Sequence, residues 1–312
     1  MAPKVLIAAE VRDLLPETPV PGYEVEWLPA DRPTPTGAYA AIVPLLTRWV
    51  GGTELKNLAG LKVVANVAAG VDNVDLIAAQ MRGVVVTNTP DLTTEATADC
   101  AIALLLAVAR RFKEGERLIA SGEWRGWHPT LLLGLGLRGR TLGIVGAGRI
   151  GQAVGRRAKA FGLELVYTAR TAKPDFERET RARRVDLARL MAESDIVSLH
   201  VPVTPETKGM MDAARFAAMK PGAILLNTAR GELVREPALL EALAGGRLAG
   251  AGLDVYAEEP AVHPDLVAHP RVVVLPHLAS ATEETRRAMA DLAVRNVRAV
   301  LAGEPPVTPV FR

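Results

Sequence analysis

Residues 141–162 read TLGIVGAGRIGQAVGRRAKAFG, and the fold is read outward from them. The run 141–145 is a short apolar strand. Gly146, Gly148 and Gly151 then fall in the spacing G-x-G-x-x-G, and a helical segment follows. In this strand–turn–helix setting each glycine has a task. The first permits the tight turn, the second admits a pyrophosphate against the backbone, and the third lets helix pack on strand. The free N–H groups of the helix start then face the phosphates. The stretch predicts a dinucleotide-binding turn.

Downstream, the same short β-branched signature recurs at 163–167, 196–200, 223–227, 250–255 and 272–275, with helical segments between most of these runs. Six strands in this rhythm make a full dinucleotide-binding sheet. Upstream, KVLIAAE (4–10), AAIVPLL (40–46), LKVVANV (61–67) and GVVVTNT (83–89) are strands of a smaller α/β unit. The alternation implies parallel sheets with helices on both faces. Residues 95–120 predict one long connecting helix and 121–137 a loop. The segment 281–301 is an amphipathic helix long enough to return to the first unit. The expected fold is α/β with two Rossmann-like domains. A doubly wound parallel-sheet cofactor domain, 98–283, is inserted into a smaller flavodoxin-like substrate domain made of 1–97 and 284–312.

The bulk properties agree. At roughly 150 residues per domain, 312 residues suggest two domains. Hydrophobic residues make up 49% and charged residues 23%, as in a globular protein with a buried core. The formal net charge is +2, with no basic stripe interleaved with aromatics, so nucleic acid is not an expected partner. The single cysteine, Cys100, excludes an internal disulfide framework and reads as a small core residue beside the apolar run 101–109. That run is far short of the roughly 20 residues that cross a bilayer. The N-terminal apolar stretch is interrupted by Glu10 and Arg12 too soon for a signal peptide. The expected location is therefore the cytoplasm, with no membrane contact. No metal-ligand spacing is visible, and no metal is expected.

The strand after the glycine turn selects the cofactor. Enzymes using NAD usually end it with an acid that bonds the ribose hydroxyls. Here residues 163–174 read LELVYTARTAKP. Ala169 takes the acidic place, followed by Arg170, Thr171 and Lys173. An acid would repel a 2′-phosphate, whereas Arg170 can bind one with charge-assisted hydrogen bonds. NADP is expected as the preferred cofactor, with NAD possible.

Three further segments place polar groups at or just after apolar strand ends: ILLNTARGELV (224–234), AGLDVYAEEP (251–260) and VVVLPHLASAT (272–282). Hydride transfer to a 2-keto acid needs a cation for the carboxylate and carbonyl, a proton donor for the carbonyl oxygen, and a group that tunes that donor. Arg230, His277 and Glu259 can fill these roles.

Taken together, AAGVDNVD (68–75), GAGRIG (146–151), NTARGELV (227–234), AGLDVYAEEP (251–260) and PHLASAT (276–282) resemble the D-isomer-specific 2-hydroxyacid dehydrogenases, in order and over nearly the whole chain. Within that family the lead-in from Trp127 to Gly151 and the turn TARTAKP (168–174) are most similar to the glyoxylate/hydroxypyruvate reductases. The resemblance implies two Rossmann-like domains, an interdomain cleft, a homodimer and a small 2-keto or 2-hydroxy acid substrate. It implies that Arg230 is the substrate arginine, His277 the acid/base and Glu259 its partner carboxylate. Glu258, beside it, reads as a solvated loop acid. It implies that Asp254 bonds the nicotinamide carboxamide, with Thr228, Ala229, Arg230 and His277 around that ring. Arg149 and Ile150 match the pyrophosphate turn, and Val201 and Pro202 the strip under the adenosine. Ala69 and Gly70 match a loop whose N–H groups bind the substrate carboxylate. Leu46, on a neighbouring loop, is placed as a wall of the pocket.

Relatives with other chemistry are weighed on single positions. Formate dehydrogenases usually carry Gln where Glu259 stands. Phosphoglycerate dehydrogenases usually carry Arg in the loop that reads VPLLTRW (43–49). There Pro44, Leu45 and Leu46 offer an apolar wall, and only Arg48 keeps D-3-phosphoglycerate dehydrogenase as an alternative. From another class, a nucleotide-sensing corepressor-like binding protein shares fold, cofactor site and catalytic trio. Turnover separates the two.

Overall fold

The computed structural model describes residues 3–311. The chain divides into two compact units, Met1–Thr93 with Ala281–Arg312, and Thr94–Ser280. Both crossings fall a few residues before the boundaries read from the sequence.

In the first unit the strands are β1 (Lys4–Ala8), β2 (Glu24–Leu28), β3 (Gly37–Val43), β4 (Leu58–Ala59), β5 (Val63–Ala65) and β6 (Val85–Thr87). They lie in the order β2-β1-β3-β5-β6, all parallel, with β4 beside β3. This is the flavodoxin-like order. Successive side chains of a strand point to opposite faces, and both faces are apolar here. Val5, Ile7, Ala41, Val43, Val63 and Ala65 feed one core, while Leu6, Ile42 and Val64 feed the other. The helix Glu283–Leu301 returns to the first core through Met289, Ala290, Ala293, Val294 and Val297. Thr282 caps its start by accepting the Thr285 N–H. The edge strand β2 was not among the expected strands. Its sequence, EVEWL, is only partly buried and carries a weak apolar signal.

The second unit holds β7 (Thr141–Val145), β8 (Glu164–Thr168), β9 (Arg183–Arg184), β10 (Ile196–Leu199), β11 (Ala223–Asn227), β12 (Leu248–Leu253) and β13 (Val272–Val274). Their order is β13-β12-β11-β10-β7-β8-β9, all parallel, which is the doubly wound arrangement. Alternation again splits two cores. Leu142, Ile144, Ile196, Ile224 and Leu226 face one, and Val145, Val197, Leu199, Ala223 and Leu225 face the other. The sheet has seven strands where six were expected. The extra one, β9, is two exposed arginines with no hydrophobic signature.

One expected element is corrected. The stretch 95–120 is not a single helix but two, Thr94–Ala109 and Phe112–Ala120, separated by Arg111 at φ 57°. The cause is a distant segment. The Leu135 N–H donates to the Ala109 carbonyl at 2.8 Å, taking the acceptor that a continuing helix would use. Arg111 then clamps Glu114 with two hydrogen bonds of 2.7 and 2.6 Å.

Candidate active site

Ligands of such sheets bind beyond the carboxyl ends of the strands, where the order reverses. In the second unit that point lies between β7 and β10. Gly146 leaves β7 at φ 97°, and its N–H donates to the Thr168 carbonyl at 3.0 Å. A β-carbon there would stand 2.5 Å from the His200 carbonyl, so only glycine fits. Gly148 caps the helix Arg149–Ala160, whose first turn holds Arg149, Ile150 and Gly151. The turn opens on a cleft of about 670 Å³. Its walls are Gly146–Gly148, the stretch 168–171, Lys173, His200, Val201 and Pro202. Arg170 and Thr171 are exposed on its rim and Lys173 is half-buried. No acid occupies the end of β8. Arg184, from the unforeseen β9, donates to the carbonyls of Ala169 (2.9 Å) and Arg170 (3.0 Å) and so sets the course of this turn.

A dinucleotide fits these residues on two observations. A β-carbon built on Gly148 meets nothing within 4 Å, which leaves the backbone open to a pyrophosphate. The hydroxyl of Thr228, buried after β11, has no hydrogen-bond partner among the described residues. Buried polar groups are normally paired, so such an orphan marks a place for an outside partner.

The segment after β11 is shaped by Asn227, which sequence reasoning did not single out. Its amide donates to the Arg230 carbonyl at 2.8 Å, and its Oδ1 accepts the Ala229 N–H at 3.1 Å. Arg230 follows at the start of a short turn, Gly231–Leu233. Gly231 is pressed so closely on Tyr256 that a β-carbon would overlap the Tyr256 carbonyl carbon at 1.8 Å. This contact brings the arginine turn against the segment that carries Glu259.

Asp254, fully buried after β12, organises the third segment. Its backbone carbonyl accepts the His277 N–H at 2.9 Å. Its carboxylate accepts the N–H groups of Leu278 (2.6 Å) and Ala279 (2.8 Å). Burial pushes this carboxyl above its ordinary pKa, and the charge of Glu259 adds to the rise. The N–H donors and His277 act in the opposite sense without cancelling it. These bonds hold His277 at φ 56°, a left-handed conformation that costs a residue with a β-carbon roughly 1–2 kcal/mol.

So placed, His277 meets Glu259: Nδ1 lies 2.8 Å from Oε2. The other oxygen of Glu259 accepts the Tyr256 N–H at 3.0 Å. Burial raises the Glu259 carboxyl. The hydrogen bonds from His277 and Tyr256, with the charges of His277 and Arg230, outweigh that and hold it below the usual carboxylate range. Thus Arg230, Glu259 and His277 gather at one end of one sheet. Glu258 is exposed. His128, His263 and His269 lie apart from the trio. His263 caps the helix Pro264–Ala268, and His128 bonds Thr130. His200 lines the cleft with its imidazole on the Ser198 hydroxyl at 2.8 Å, and burial holds it down to about 4. Cys100 is half-buried with its thiol pushed up to about 11, first by burial and then by Asp254, as suits a packing residue.

In the first unit, Leu46, Ala69 and Gly70 lie beyond the carboxyl ends of β3 and β5. Leu46 and Gly70 are half-buried and Ala69 is exposed. Arg48 is committed elsewhere. Its guanidinium donates to the carbonyls of Pro29 (2.7 Å) and Arg32 (2.9 Å). Among the described residues no group of three metal-ligating side chains gathers, and no helix is long and apolar enough to cross a membrane.

Residues 102–279 match the family described as D-isomer specific 2-hydroxyacid dehydrogenase, NAD binding domain. The chain is 46% identical to the glyoxylate reductase of Thermococcus litoralis, across 98% of this chain and 96% of that protein. It is 48% identical to the glyoxylate reductase of Pyrococcus furiosus, across 86% and 81%. Among solved structures, a protein of Thermus thermophilus matches with a TM-score of 0.90 at 46% identity, over 99% of this chain and all of that one (100%). An NADPH-dependent glyoxylate/hydroxypyruvate reductase of Sinorhizobium meliloti, in complex with NADP and malonate, matches with a TM-score of 0.88 at 36% identity, over 100% and 97%.

Proposed function

We propose a specific reaction for this chain, which belongs to the D-isomer-specific 2-hydroxyacid dehydrogenase family and is an oxidoreductase acting on a CH–OH or carbonyl group with a nicotinamide cofactor. The reaction is reduction of glyoxylate and hydroxypyruvate to glycolate and D-glycerate, with NADPH preferred over NADH. The observation that carries it is the hydrogen bond between His277 and a Glu259 carboxylate held ionised, with the Arg230 charge beside it.

An ionised carboxylate only accepts hydrogen bonds, so Nδ1 of His277 carries the proton of that bond. Nε2 is then the atom that gives a proton to the substrate oxygen in reduction and takes it back in oxidation. Arg230 holds the substrate carboxylate and polarises the 2-oxo group, a task that suits a planar fork of donors. Ala69 and Gly70 offer N–H groups to the carboxylate, and Leu46 walls the pocket. When bound, the nicotinamide supplies the hydride. Gly146, Gly148, Arg149, Ile150 and Gly151 would hold its pyrophosphate, Val201 and Pro202 its adenosine, and Thr228, Ala229 and Asp254 the nicotinamide end. Arg170, Thr171 and Lys173 would hold the 2′-phosphate.

The cofactor preference rests on the end of β8, where an alanine is followed by an exposed arginine. The engagement of Arg48 by backbone carbonyls supports an unphosphorylated substrate over 3-phosphohydroxypyruvate. A homodimer in the cytoplasm completes the proposal. The test follows loss of reduced cofactor with glyoxylate, hydroxypyruvate, pyruvate and 3-phosphohydroxypyruvate. Fast NADPH loss with the first two is expected. Activity only with NADH and the phosphorylated acid would overturn substrate and cofactor choice. Tight cofactor binding without turnover would favour a nucleotide-sensing binding protein.

A further inference from the structure

We infer that Asn66, Asn73 and Asn88 are positioning residues that aim the backbone N–H groups of the 69–71 loop at the substrate carboxylate. The inference rests on the assignment of Ala69 and Gly70 proposed above.

Three successive carbonyls of this loop are held by donors. The Ala68 carbonyl accepts the Thr89 N–H at 2.8 Å. The Ala69 carbonyl accepts the Asn88 amide at 2.7 Å, and the Gly70 carbonyl accepts the Asn66 amide at 3.0 Å. A trans peptide is planar, with its C=O and the following N–H pointing in opposite directions. Fixing the carbonyls of 68, 69 and 70 therefore fixes the N–H groups of Ala69, Gly70 and Val71 to point away from these donors. None of the three donates to an acceptor among the described residues. Successive N–H groups left without an acceptor within the fold are donors open to an anion.

The asparagines are themselves locked. Asn66 is fully buried and exchanges two hydrogen bonds with Asn73, of 2.9 and 3.1 Å. Asn73 also donates to the carbonyls of Leu45 (3.0 Å) and Arg48 (2.9 Å). The pair thus joins the loop that carries Leu46 to the loop that carries Gly70. Asn88 is held by its own carbonyl, which accepts the Thr308 hydroxyl at 2.6 Å, and Thr308 in turn bonds the buried Asn296. The amides of Asn66 and Asn73 donate and accept at once, and that of Asn88 donates, so each position uses a primary amide's N–H. A carboxylate at residue 88 would set oxygen against the Ala69 carbonyl and release the peptide plane.

The decisive variant is Asn88→Asp, because Asn88 is only half-buried and its replacement leaves the core untouched. In the whole chain, KM for the 2-keto acid should rise by about tenfold or more, the scale of one lost hydrogen bond. kcat should change only a few-fold, and cofactor affinity should not change. A second readout needs no turnover: titrating the cofactor-loaded protein with oxalate should shift the Gly70 and Val71 amide resonances, about tenfold more weakly in Asn88→Asp. An unchanged KM, or a joint loss of kcat and cofactor affinity, would overturn the inference. So would amide resonances of the loop that ignore oxalate in the unaltered protein. If the unaltered protein reduces neither acid yet oxalate still moves these amides, the proposed reaction falls and the positioning role stands.

Discussion

Nδ1 of His277 lies 2.8 Å from Oε2 of Glu259, and the two residues leave different strands, β13 and β12. The contact exists because Asp254 holds the turn of the first residue and Tyr256 holds the carboxylate of the second.

Glu259→Gln should lower kcat by about a hundredfold, at the low end of acid/base contributions. It should also change the pH dependence of stability. The folded Glu259 carboxyl sits below its ordinary pKa. Its contribution is therefore present at and above the usual carboxylate range and is lost as pH falls below it. Urea unfolding of both proteins across acidic pH should show a difference that is constant near neutrality and vanishes in strong acid. A difference persisting there would mean that the pair is held by something other than the carboxylate charge.

Replacing the imidazole is a more direct test. His277→Ala should reduce kcat by about 10²–10⁴-fold. The dissociation constant for the cofactor, read by fluorescence quenching, should stay within a few-fold. Near-normal turnover would remove His277 from the proton-transfer role.

Cofactor choice is expected to turn on one side chain. Because Arg184 holds the turn through the carbonyls of Ala169 and Arg170, Arg170→Asp should leave the turn's course intact while adding an anion beside the 2′-phosphate. Comparing kcat/KM for NADPH and NADH should show preference inverted toward NADH. Retained preference for NADPH would sink the assignment.

Asp254→Ala should destabilise the protein and cripple it at once. Two buried N–H groups, of Leu278 and Ala279, would lose their acceptor, at about 1–3 kcal/mol each. The left-handed backbone of His277 would lose its neighbouring anchors. Thermal melting and kcat should both fall. A variant with unchanged melting temperature would show that the carboxylate does not hold the turn.

Much was legible in the sequence because it is set locally. The glycines of 146–151 need no distant partner to announce a turn. An apolar run buried on both faces reads as a parallel strand wherever it stands, and this located most strands of both sheets, although β12 runs Leu248–Leu253 rather than 250–255. The absence of an acid after β8 is likewise a fact of one position.

What tertiary structure alone decided depends on residues far apart in the chain. β9 is two arginines whose strand character comes from pairing with β8. The break at Arg111 is imposed by Leu135. The carboxylate of Asp254, after β12, accepts the N–H groups of Leu278 and Ala279 after β13, a pairing that no single position announces. The asparagine network under the 69–71 loop joins residues 45, 66, 73, 88, 296 and 308. Periodicity reports which face of an element is buried. It carries no record of which donor meets which acceptor, because that pairing is settled only when the sheet order and register bring distant strand ends together.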